Sequence, residues 1–185
     1  FMKDMCCREE DTNQVYYISS DRNFVDNFKN KFIKEAQTIS SLNHRNIIRI
    51  HDTFEENGTA YYAMEYIDGC SISDILKQQG KLQEDVAIQF IKEVAEALNY
   101  IHSKHINHLD IKPSNIMVRQ VDNSVVLIDF GVAKQYDLLT DEGTTSTPVG
   151  VSHGYSPLEQ YSDGGVQNFS PQSDIYALGA TLYTM

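Results

Sequence analysis

The chain has 185 residues, 41% hydrophobic and 22% charged, which suits one globular domain with a real core and leaves little for a second. Its 15 Lys and Arg stand against 26 Asp and Glu, and a formal net charge of −11 argues against a nucleic-acid binder, whose affinity would rest on a cationic surface. No apolar run approaches the roughly 20 residues that span a bilayer, and no secretory signal pattern opens the chain.

Residues 1–27 have no steady period; polar Arg8-Glu9-Glu10-Asp11 gives way to a strand-like piece at 15–18. From Phe28 the pattern changes. Phe28, Phe32, Ala36, Ile39 and Leu42 recur at helical steps, so one face of a helix is apolar until Asn43-His44-Arg45-Asn46 ends it. Residues 47–54 and 59–66 read as strands. Asn57-Gly58 between them favours the positive φ angles of a tight hairpin, so the two strands are expected to pair antiparallel. Asp68-Gly69 interrupts the second strand, and a short helix over 72–79 stops at Gly80. Residues 85–103 form the strongest helix, with Ala87, Phe90, Ile91, Val94, Leu98 and Ile101 in one stripe. Two strands follow at 116–119 and 125–128, joined by turn-forming Asp122-Asn123-Ser124. Residues 134–172, rich in Thr, Ser, Gly and Pro, read as a long loop, and 174–185 as a helix. That order is α+β rather than an alternating βαβ series.

Two segments carry the chemistry: His108-Leu109-Asp110-Ile111-Lys112-Pro113-Ser114-Asn115, and Asp129-Phe130-Gly131. A strand pair joins them, so a hairpin can bring Asp110, Asn115 and Asp129 to one end of a sheet. A hard cation such as Mg²⁺ takes oxygen ligands, and Asn115 and Asp129 suit it when phosphates supply the rest. Asp110 is then left to accept a proton from an incoming hydroxyl, and Lys112 to neutralise a transferred phosphoryl group. Positioning and charge neutralisation are most of what phosphoryl transfer asks of a protein.

The sequence resembles the catalytic domain of eukaryotic-type protein kinases. Residues 108–115 resemble the family's H-R-D-x-K-x-x-N loop, and Asp129-Phe130-Gly131 its D-F-G. Glu35 stands where the αC glutamate stands; Met64-Glu65-Tyr66-Ile67 resembles the gatekeeper and hinge; Ser156-Pro157-Leu158-Glu159 resembles A-P-E; and residues 173–179 resemble the start of αF, whose aspartate braces the catalytic loop. The order of these matches along the chain makes them more specific than any one alone. The resemblance implies a kinase-like fold, with a partial small lobe over 1–66 (the family's αC and its fourth and fifth strands) and the first part of the mainly helical large lobe over 67–185. It implies ATP and Mg²⁺ as cofactors and a protein substrate. Lys112, two residues past Asp110, is typical of Ser/Thr kinases, so the implied acceptor is a Ser or Thr hydroxyl. By the same carry-over Asp110 is the base, Lys112 offsets charge, Asn115 and Asp129 hold the metal, Glu35 anchors the ATP-binding lysine, Glu65 and Ile67 offer backbone groups to adenine, and Met64 and Met117 bound its pocket. The wording around Glu159 and residues 173–182 is most similar to bacterial Ser/Thr kinases.

Three departures stand out. Leu109 replaces the arginine that in the family pairs with a phosphate on the activation loop, and leucine cannot donate to a phosphate. No Gly-rich loop or V-A-x-K strand precedes the first helix, and Lys3 fits the ATP-binding lysine poorly, so that lysine is expected upstream of Phe1. The helices that follow αF, with the partner of Glu159, are expected beyond Met185. The chain therefore reads as a kinase domain truncated on both sides. The competing class is a pseudokinase that signals by shape. Leu109 and the missing phosphate loop favour it; intact Asp110, Lys112, Asn115 and Asp129 oppose it.

Plainer readings stand beside these. Met64 and Met117 also suit core filler, and Glu35 beside Lys31 and Lys34 also suits a solvated surface. His108 reads as a structural hydrogen-bonding residue, and Cys70 as an inert small one. Thr140, Thr144, Thr145, Ser146 and Thr147 are candidate phosphorylation sites. Cys6, Cys7 and Cys70 make no disulfide framework or zinc spacing and fit a reducing compartment. That places the chain in the cytoplasm, by itself or as the cytoplasmic part of a membrane-anchored protein.

Overall fold

Apolar periodicity and turn chemistry account for most elements of the computed structural model, which describes residues 6–17, 22–130, 134–135, 151–161 and 169–185. Lys3, Gly131, Thr140, Thr144, Thr145, Ser146 and Thr147 lie outside the described residues, as do the side chains of Phe28 and Glu35. Two compact units emerge, Phe1–Asn43 with Arg49–Glu65, and His44–Ile48 with Tyr66–Met185.

In the first unit, β1 (Cys6–Arg8) and β2 (Val15–Tyr17) form a hairpin where only the second piece was expected as a strand. Helix α1 (Arg22–Ser40) starts earlier than the apolar period suggests, because its first turns are largely polar. Val25, Ala36 and Ile39 are buried, and α1 packs on β3 (Ile50–Glu56) and β4 (Thr59–Met64). Phe32 meets Tyr62 with ring centroids 5.3 Å apart, and Lys29 pairs with Glu55 at 2.7 Å. The β3–β4 pair is antiparallel with Glu56 opposite Thr59. Asn57 (φ 51°) and Gly58 (φ 74°) both adopt the left-handed region that a two-residue primed turn requires. Met64, at the end of β4, is 52% exposed, so it is not core filler.

The second unit begins with the segment expected to open a strand. Ile47 instead bridges Leu127 in parallel, and Asn46 is buried, its amide donating to the Val125 carbonyl (2.7 Å) and to Glu93 (2.9 Å). Gly69 does not simply break a strand: it starts a separate one, β5 (Gly69–Ser71), which pairs with β7 (Ile116–Arg119). The backbones approach so closely that a Cβ at Gly69 would lie 1.9 Å from the Val118 carbonyl oxygen. Helix α2 (Ile72–Gln79) matches its expected span; Ser71 accepts from the Asp74 N–H (3.1 Å) at its start, and Gly80 (φ 82°) closes it. Helix α3 (Glu84–His102) buries Ala87, Phe90, Val94, Leu98 and Ile101, as the stripe requires. It packs on β8 (Val125–Leu127) and on α4 (Pro171–Thr184), which opens with a capping box made by Ser170 and Ser173. Within the expected loop, the described residues add two pieces whose sequences carry no period: β9 (Lys134–Gln135), paired with β6 (Ile106–Asn107), and a 3₁₀ turn at Leu158–Tyr161.

Candidate active site

The site grows from the β7–β8 hairpin. Ile116 faces Leu127 across it, so Asn115 enters and Asp129 leaves at the same end. The Ile128 N–H donates to the Asn115 carbonyl (2.9 Å), fixing that closeness in the backbone. Pro113–Asn115 forms a single 3₁₀ turn closed by the Asn115 N–H on the Lys112 carbonyl (2.9 Å). That turn folds Asn115 back on Asp110: its side-chain amide donates to the Asp110 carbonyl oxygen (2.8 Å) and to Oδ2 (2.9 Å).

Asp110 is clasped from three sides. Lys112 Nζ donates to Oδ2 at 2.7 Å, and the Ser152 hydroxyl donates to Oδ1 at 2.6 Å. Lys112 also reaches Ser152 Oγ at 2.9 Å, closing a small ring of carboxylate, cation and hydroxyl. Burial works to raise the Asp110 carboxyl, but the bonds from Lys112, Ser152 and Asn115 outweigh it and hold the group below its ordinary 3.8. Asp110 is therefore an anion at neutral pH, already oriented to accept.

Ser152 carries no periodic signal and sequence reading passed over it. It sits in a tight turn in which Tyr155 and Ser156 donate backbone N–H bonds to its carbonyl (3.0 and 2.9 Å) and its own N–H donates to Ser156 Oγ (3.0 Å). Gly154, at φ 86°, is the residue that permits the turn. The recurrence of hydroxyls around that glycine was the available clue.

Beneath the site lies a buried anchor. Asp174, at the start of α4 and wholly buried, accepts from the backbone N–H groups of His108 (2.9 Å) and Leu109 (2.7 Å) and meets His102 Nε2 at 2.8 Å. Leu109, buried, is held at φ 65°, a conformation that costs a non-glycine residue about 1–2 kcal/mol and persists because the Asp174 bonds fix it. Asp129 is likewise left-handed, at φ 61°. His108 is fully buried and structural, as expected: Nε2 bonds the Ile128 carbonyl (3.1 Å) and Nδ1 accepts from the Asp110 N–H (3.3 Å). One nitrogen donating and the other accepting describes a neutral ring. Burial drives its pKa below the ordinary 6.5, against the opposing pull of Asp174, the Ile128 carbonyl, Asp110 and Asp129. Its ring packs on Phe130 with centroids 4.6 Å apart. Glu159 accepts from the Ser173 hydroxyl (3.0 Å), a partner within this chain. Of the other singled-out residues, Ile67 is buried, Glu65 and Met117 are half-buried, and Asp129 is exposed.

The Asp110 carboxylate, the Lys112 ammonium, the Asn115 amide and the backbone bond from Ile128, the residue before Asp129, thus converge at one end of the β7–β8 hairpin. Comparison with known proteins agrees. The family model for the protein kinase domain matches residues 5–185. The chain belongs to the protein kinase family. Its relatives include the serine/threonine-protein kinase PknB of Mycobacterium leprae, 34% identical over 83% of this chain and 24% of that protein. A probable serine/threonine-protein kinase of Clostridium perfringens is 36% identical over 86% of this chain and 23% of its own length. Another relative is the probable serine/threonine-protein kinase zyg-1 of Caenorhabditis briggsae, 35% identical over 82% of this chain. The chain spans about a quarter of the length of these curated relatives. The solved structure of PpkA-294 in its apo form superposes with a TM-score of 0.79 at 28% identity, over all of this chain and 63% of that one. The kinase-like α+β fold expected from the sequence is thus the fold observed. The family works with ATP and a divalent metal. No helix among the described residues is long and apolar enough to cross a membrane.

Proposed function

We propose that this kinase chain belongs to a Ser/Thr protein kinase catalytic domain, its first unit to the small lobe and its second to the large one. The observation that carries the reading is the three-sided grip on the Asp110 carboxylate by Lys112, Asn115 and Ser152. A substrate Ser or Thr hydroxyl lies against Asp110. Its oxygen attacks the γ-phosphorus of ATP, the bond from that phosphorus to the ADP oxygen breaks, and the hydroxyl proton passes to Asp110. Lys112, held at the carboxylate, offsets charge on the group in transit.

The donor set fits a magnesium ion. Asn115 spends its amide nitrogen on Asp110, which leaves its side-chain oxygen, met by the Ser114 hydroxyl at 3.5 Å, as the hard ligand, and Asp129 follows at the same strand end. Nucleotide oxygens and waters would complete the shell of an ion held there. When bound there, Mg²⁺ would neutralise the phosphate charge that builds as the bond breaks. Glu35, Met64, Glu65, Ile67 and Met117 keep the nucleotide roles carried over from the family. The Glu65 N–H already donates to the Arg49 carbonyl (2.8 Å), so its carbonyl is what it would offer adenine. A cytoplasmic location is part of this reading, supported by the exposed thiols of Cys7 and Cys70.

The test uses the full-length parent protein with Mg-ATP and a generic protein acceptor. Asp110→Asn keeps the shape of the site and removes the proton acceptor, so label transfer should fall about 10²–10⁴-fold while the thermal shift with Mg-ATP persists. Label should appear on Ser and Thr. Transfer by Asp110→Asn at the wild-type rate would overturn the assignment, and binding without transfer by the wild type would mark a pseudokinase.

A further inference from the structure

The hairpin before α1 is built against one feature, the Asn57–Gly58 turn. The Val15 N–H points away from its own β1–β2 ladder and donates to the Asn57 carbonyl at 2.9 Å. The Tyr17 hydroxyl donates to the Gly58 carbonyl. Arg8 Nη1 reaches the Tyr61 hydroxyl on β4 at 3.1 Å. The fit is close: a Cβ at Gly58 would come within 2.8 Å of Gln14 Nε2 and of the Val15 carbonyl oxygen. The hairpin's own tip is closed independently, by the Glu9 N–H on the Gln14 carbonyl (2.9 Å) and by Thr12 on Glu9 (2.5 Å).

The same β3–β4 hairpin receives α1 from another side, through Lys29 on Glu55 and Phe32 on Tyr62. The Lys29 ammonium, held above its ordinary pKa chiefly by the Glu55 hydrogen bond against the pull of burial, also feels the Tyr17 phenol. Hairpin and helix therefore share a support, and only four positions of sequence separate Tyr17 from Arg22, where α1 begins.

We propose that the β1–β2 hairpin is a clamp: by gripping the Asn57–Gly58 turn it fixes where the chain enters α1, and so where Glu35 is held. Arg8, Val15 and Tyr17 are positioning residues. Their effect on nucleotide binding rests on the reading of Glu35 as the anchor of the ATP-binding lysine; their effect on α1 does not.

The test is the variant Arg8→Ala/Val15→Pro/Tyr17→Phe in the full-length protein. Proline at 15 deletes the N–H that serves Asn57 and spares the hairpin ladder. Amide hydrogen exchange is followed by mass spectrometry over Arg22–Ser40, with Glu84–His102 as the internal reference. Loss of the clamp should speed exchange in α1 about fivefold and leave α3 unchanged, as expected when one element is loosened locally. The KM for ATP should rise while kcat stays within about twofold. Exchange in α1 that matches the wild type would overturn the clamp. Faster exchange in α1 with an unaltered KM would uphold the clamp and remove Glu35 from ATP binding.

Discussion

The segment from Ile106 to Asn115 and the hairpin from Cys6 to Tyr17 are both short and irregular, yet they are held in opposite ways. The first hangs from buried groups: Asp174 fixes two of its backbone N–H groups, His108 has both nitrogens bonded, and Asn115 is buried. The second is held by bonds to the Asn57–Gly58 turn and to Tyr61 on β4, most of them at the surface. A buried polar network loses much when one member goes, because each orphaned group pays full desolvation. A surface grip loses only its own modest net energy. The catalytic segment is thus fixed as a unit, whereas the hairpin can be altered without unfolding what it rests on.

The largest effect should come from breaking the anchor. Asp174→Ala leaves the His108 and Leu109 N–H groups and His102 without their acceptor and should cost about 3–5 kcal/mol, read as a lower urea midpoint. A loss under about 1 kcal/mol would erase the contrast with the hairpin. Next is pH. His108 stays neutral in the fold while its unfolded form gains a proton near 6.5, so its contribution is present above that value and is lost as pH falls through it. Between pH 7.5 and 5.5 the loss should reach about 1 kcal/mol, and His108→Asn should flatten the slope. The smallest effect on stability sharpens the comparison within the site. Ser152→Ala removes one donor from Asp110 and should cost about 1 kcal/mol or less, yet lower kcat several-fold, with Ser152→Thr restoring it.

What was legible in the sequence follows the same division. The stripe of α3, the Asn57–Gly58 turn and the Gly80 end of α2 are set by local pattern, and each appeared where expected. Asp110, Lys112 and Asn115 were legible because one short turn gathers them. Ser152 was not: it reaches Asp110 across 42 positions from a stretch with no period. The β1–β2 hairpin was half-seen because its strands are only three residues each, too short for alternation to register. Asp68-Gly69 looked like a break because pairing with β7, on which β5 depends, is invisible to any local window.

That last junction has a consequence for substitution. At Gly69 the obstacle is the Val118 carbonyl itself, main chain that no rotamer change can move aside. A saturation library at position 69 should return one amino acid, because every other places a Cβ against immovable main chain.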